Sequence, residues 1–196
     1  MSSWTILDTM TLKFIFIVAC FVIAATSYFF CQSKKDWAWL TAGLLFTVGA
    51  DYFLVIQNHH LTGVAVFCFA HVCYILRGLN SEKHKQNMAL IAVPFLTMAI
   101  AIVFANGAIF VLAGIYATLF LMNIAVNLKF CKINKPIVLT GLILFALCDV
   151  NVLLFNSPHQ LGTPVIFPFA FQLIWVFYLP SQLLLAVSGV RFRRRT

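Results

Sequence analysis

Apolar residues run along this chain in long blocks, separated by short polar connections. A helix that crosses a bilayer needs roughly 17–25 predominantly apolar residues. Blocks of that length fall at about 12–30, 37–56, 61–78, 88–105, 107–128, 136–155 and 164–188. They predict an all-α integral membrane protein: a bundle of about seven transmembrane helices forming one polytopic domain over residues 1–196. The last block contains Pro164, Pro168 and Pro180, and the pattern predicts one helix there, kinked at Pro180.

Composition narrows the class further. The chain is 63% hydrophobic and only 9% charged. A soluble domain carries roughly 25% charged residues. Water-soluble enzymes, nucleic-acid binders and disordered chains are therefore excluded. The cysteines show no zinc or redox spacing and read as small packing residues.

The net charge of +8 is clustered. Lys34 and Lys35 follow the first block; Arg77, Lys83 and Lys85 follow the third. Lys129, Lys132 and Lys135 follow the fifth, and Arg191, Arg193, Arg194 and Arg195 end the chain. The connections 57–60, 106–107 and 156–163 contain no Lys or Arg. Seven crossings put every basic cluster on one side, so the positive-inside rule predicts N-terminus out and C-terminus in. An eighth crossing would put the Arg-rich tail outside.

Against this background the intramembrane polar residues stand out. Of five acidic residues, Asp8, Asp36 and Glu82 are assigned to the tail or loops, while Asp51 and Asp149 fall inside the second and sixth blocks. No Lys or Arg is expected at membrane depth to neutralise them, and an intramembrane acid is by default a functional site. Both blocks run from inside to outside, and each Asp lies about six residues, roughly 9 Å, from the outer end. Two carboxyls meeting there would share a proton and supply an acid and a base. The segments 44–55 and 142–153 also align, Asp51 over Asp149, as a parallel repeat would.

His71 is the histidine well inside a block, on one face with Gly63, Phe67 and Tyr74. It is expected to orient an Asp or relay a proton, beside the plainer role of an interhelical hydrogen-bond partner. Tyr116, Asn123 and Asn127 share a face of the fifth block, and Trp175, Tyr178 and Gln182 a face of the seventh. Tyr74, Tyr116, Asn123, Trp175, Tyr178 and Gln182 are the expected substrate-binding residues. His59, His60 and His159 fall on outer loops. A catalytic zinc site usually takes three protein ligands, and the interior offers one His, so neither a metal nor another cofactor is expected.

Three segments carry a resemblance: Gly49-Ala-Asp51; Phe67-x3-His71-x2-Tyr74; and Phe145-x2-Cys148-Asp149. With Tyr116 to Ala125 and Trp175-x2-Tyr178-x-Pro180-x-Gln182, they resemble the YhhN-like membrane proteins, a family that includes the mammalian lysoplasmalogenases. The likeness runs from about residue 40 onward. Ala50 stands where the family usually has glycine, and Cys148 where it usually has serine. Members usually have eight spans, and one fewer at the N-terminus fits the N-out start.

The resemblance implies hydrolysis of the vinyl-ether bond of lysoplasmalogens, giving a fatty aldehyde and a glycerophospho-base. Asp51 and Asp149 would be acid and base, with His71 and Tyr74 orienting them. The implied partners are a lysophospholipid substrate and membrane lipid, and no nucleic acid. Two rival readings use the same residues: a proton-coupled transporter for a small solute, and a lipid-binding membrane protein.

Overall fold

A computed structural model describes residues 3–79, 108–161 and 169–190. Among the described residues the chain is all-helical, apart from one isolated bridge between Cys31 and Val190. The helices are α1 (Ser3–Thr26), α2 (Lys34–Asp51), α3 (His60–Leu79), α4 (Ala108–Phe130), α5 (Lys135–Leu161) and α6 (Ala170–Val187). A 3₁₀ turn, Ser27–Phe30, extends α1, and a π turn, Tyr52–Ile56, extends α2.

Six of these segments are long and apolar enough to cross a membrane. The expected block at 88–105 lies outside the described residues, as do Pro164 and Pro168. Large apolar side chains face outward all round, among them Phe29 (81% exposed), Leu121 (67%) and Leu153 (65%). So much exposed hydrocarbon belongs in lipid rather than water. The protein is a multi-pass membrane protein.

Lipid gives helices little hydrophobic reason to associate, so close approach has to supply the packing. Gly43 on α2 lies against the Tyr74 ring of α3, where a Cβ would come within 2.5 Å of Cε1. Gly63 on α3 lies against Leu54 and the Ala50 carbonyl, and Gly141 on α5 against Leu185 and Ser181 of α6. Between the helices lie Ile17, Leu40, Leu44, Phe67, Leu142, Phe145 and Leu185. Helix α3 runs parallel to α4: Phe67 meets Tyr116, His71 meets Phe120, and Gly78 meets Val126. Leu79 and Ala108 therefore stand at opposite ends of the bundle.

One end is held by charge. Ser33 caps α2 by accepting from the Asp36 backbone N–H. The Asp36 carboxylate takes a two-pronged grip from Arg77, Nε to Oδ1 at 2.9 Å and Nη2 to Oδ2 at 3.0 Å. Arg77 Nη1 donates to Ser188 Oγ at 2.7 Å, and Asn134 Nδ2 donates to the Ser188 and Val190 carbonyls. Asp36 and Arg77 are both buried. They are thus not the solvated loop charges that the sequence predicts. This clasp ties the ends of α2, α3 and α6 to the start of α5, where Lys34, Lys35, Lys129, Lys132 and Lys135 also gather. We call it the basic end.

Candidate active site

The site lies toward the other end, where α2 changes its winding. After Asp51 the chain enters the π turn, with Gln57 N–H donating to the Tyr52 carbonyl. Asn58, at φ +57°, adopts the left-handed conformation that ends a helix. Wide turns of this kind are frequent at functional sites, because they re-aim the side chains beside them. Asp51 is 4% exposed and accepts a hydrogen bond from the Tyr178 hydroxyl of α6, at 2.6 Å to Oδ2.

Asp149 is placed in the same way by a different pair of helices. It projects from α5 and accepts from the Tyr116 hydroxyl of α4, at 2.8 Å to Oδ2. Each acid is thus held by a tyrosine of a different helix. Phe67 sits 6.1 Å from the Tyr116 ring and 6.5 Å from Tyr178, and Phe145 lies 5.6 Å from Tyr178. The result is two carboxyl–phenol pairs around an aromatic floor. Helices α2 and α5 run in the same direction, and the aligned positions Leu44 and Leu142 are both fully buried.

His71 stands behind this floor and hydrogen-bonds neither acid. It is fully buried among the rings of Phe67, Tyr74, Tyr116, Phe120 and Phe145. Asn127 Nδ2 donates to Asn123 Oδ1 at 2.7 Å, which leaves the Asn123 amide N–H₂ to face His71 Nδ1 at 3.3 Å. Nδ1 is then the acceptor and Nε2 carries the proton, with no partner for Nε2 among the described residues. Tyr74 hydrogen-bonds Thr47 at 3.4 Å, deeper in the bundle. The groups that orient the acids are thus Tyr178 and Tyr116, in place of His71 and Tyr74. His71 reaches Asp149 only through the Tyr116 ring, 4.9 Å away.

The expected substrate-binding residues divide accordingly. Tyr116, Tyr178 and Trp175 gather at the acids, with the Trp175 ring 5.9 Å from Tyr178. Tyr74, Asn123 and Gln182 sit in the sealed interior, where Gln182 Oε1 has no partner among the described residues. Pro180 stays inside α6 without ending it. No group of three metal-ligating side chains occurs among the described residues; His59 and His60 are exposed, and the side chain of His159 lies outside them.

One charged group near the site escapes the sequence pattern. Contrary to expectation, a cation outside the basic clusters stands within a candidate span. Lys13, on α1 within the span Met10–Phe30, holds its ammonium 4.3 Å from the centre of the Trp175 ring and 5.5 Å from that of Phe171. Its neighbour Phe14 packs on Tyr52, next to Asp51. The signal was available, since a lysine inside an apolar block is itself a warning of function.

Comparison with curated proteins and with solved structures returned no match. The sequence pattern of one family matches residues 9–189, nearly the whole chain and both carboxyl–phenol pairs. The chain belongs to the YhhN family.

Proposed function

We propose that the protein is a membrane-embedded lipid hydrolase that cleaves the vinyl-ether bond of lysoplasmalogens, with Asp51 and Asp149 as its acid and base. The observation that carries this reading is the pair of intramembrane carboxyls, each held by one phenol and neither by a cation. Vinyl-ether hydrolysis needs such a pair. One carboxylic acid protonates the β-carbon of the enol ether, and the C=C electrons form the new C–H bond. The resulting oxocarbenium ion is stabilised by the second carboxylate, which then takes a proton from the attacking water. The hemiacetal collapses to aldehyde and glycerophospho-base. The faces of Phe67, Phe145, Tyr116 and Tyr178 are electron-rich and favour the developing cation. They also offer an apolar bed for the alkenyl chain.

The test is aldehyde release from lysoplasmenyl-ethanolamine by purified, detergent-solubilised protein, beside Asp51→Asn and Asp149→Asn. Release by the wild type and its loss in both variants is the expected result. Near-normal rates in both variants overturn the reading. The rival reading, proton-coupled transport, draws on the π turn after Asp51 and on Pro180 within α6. Proton-dependent solute uptake into vesicles, without aldehyde release, is the outcome that favours it.

A further inference from the structure

We infer that Lys13, framed by Trp175 and Phe171, binds the phosphate of a lipid whose reacting group lies at Asp51. For the lipid's identity the inference rests on the hydrolase reading; for the phosphate it rests on the site alone. Of the 13 lysines and arginines, Lys13 alone stands outside the four basic clusters. The ion pair among the described residues, Arg77–Asp36, lies at the basic end. Lys13 therefore has no carboxylate partner among the described residues, although it stands within a membrane span.

A cation within a span calls for an anion, and two ring faces satisfy it only in part. The Trp175 indole N–H is a second donor beside it, buried and without an acceptor among the described residues. The connection back to the acids is short. Trp175 packs on Tyr178, and the Tyr178 hydroxyl donates to Asp51. Carboxyl and ammonium are thus linked through two aromatic side chains, Tyr178 on Asp51 and Trp175 under Lys13. An ammonium is a compact point charge suited to phosphate.

Binding, measured apart from turnover, is the test. Full-length protein in detergent is titrated with 1-O-alkyl-lysophosphoethanolamine, which has no vinyl ether to cleave, and with 1-O-alkylglycerol, which has no phosphate. The wild type is expected to bind the phosphate-bearing lipid about tenfold more tightly, the size of one charge-assisted hydrogen bond. Lys13→Met should bind both lipids alike, at the alkylglycerol level, and Lys13→Arg should keep the preference. Lys13→Gln serves as a second neutral variant should the methionine protein fold poorly.

Displacement of the lipid by excess inorganic phosphate would assign the site to free phosphate and overturn the lipid identity; no displacement supports the headgroup. A wild type without preference, or neutral variants that keep it, overturns the inference. A Lys13-dependent preference in a protein that releases no aldehyde would sink the hydrolase reading and leave the phosphate site standing. Aldehyde release without that preference would do the reverse.

Discussion

Asp36 and Asp51 sit at opposite ends of the same helix and are treated in opposite ways. Asp36 has both oxygens taken by Arg77, whose remaining arm is taken by Ser188. Its charge is neutralised and both of its oxygens are engaged. Asp51 has one oxygen on the Tyr178 phenol, and Asp149 repeats the arrangement with Tyr116. A phenol fixes the orientation of a carboxyl without cancelling its charge. The first arrangement holds helices together. The second keeps an acid able to exchange a proton in a place where charge is costly. On the proposed function, the same residue type is structural or chemical according to whether its partner is a cation.

The largest expected effect tests the chemical side. Asp51→Asn and Asp149→Asn should each lower aldehyde release by about 10²–10⁴-fold, the usual contribution of a positioned acid or base. Asparagine still accepts from the tyrosine, so the thermal unfolding midpoint should scarcely change; a collapse in stability would place these residues with Asp36. Next is Arg77→Ala, which leaves Asp36 buried without its cation and should cost about 3–5 kcal/mol of stability in detergent unfolding. Converting both partners to apolar residues of similar volume should recover much of that loss, as removal of one partner alone cannot.

Between the two ends lies a control. Gly43→Ala drives a methyl group into the Tyr74 ring and should cost about 1–3 kcal/mol in unfolding, with the KM of the folded fraction unchanged. The smallest effect should come from the phenols. Tyr178→Phe or Tyr116→Phe removes one hydrogen bond and should slow turnover about tenfold with little loss of stability. If either change instead unfolds the protein, its phenol belongs with the structural clasp.

Much of this was legible in the residues. The apolar blocks mark the helices because the bilayer demands long, internally hydrogen-bonded segments. Asp51, Asp149, Tyr116, Tyr178 and Trp175 were conspicuous because polar groups are rare in such blocks. Partnership was not legible. Tyr178 and Asp51 are 127 positions apart, and nothing local says that a phenol rather than His71 will meet the acid. His71 lies on the expected face, but the register of α3 against α4 turns it to Asn123. Arg77 reads as a loop charge until α3 and α6 bring it to Asp36 and Ser188. Lys13 reads as part of an apolar block until α1 packs on α6.

The sequence by itself determined that this chain lies in a membrane, where its helices run, which end gathers the basic residues, and that it carries two acids in spans. Those properties follow from local composition and its match to the thickness and chemistry of the bilayer. Tertiary structure alone decided which acid is neutralised, which phenol holds which carboxyl, and that a lone lysine stands beside the site. Those depend on how helices distant in sequence rotate and slide against one another, and that is set by close contacts such as Gly43 on Tyr74 and Gly141 on Leu185.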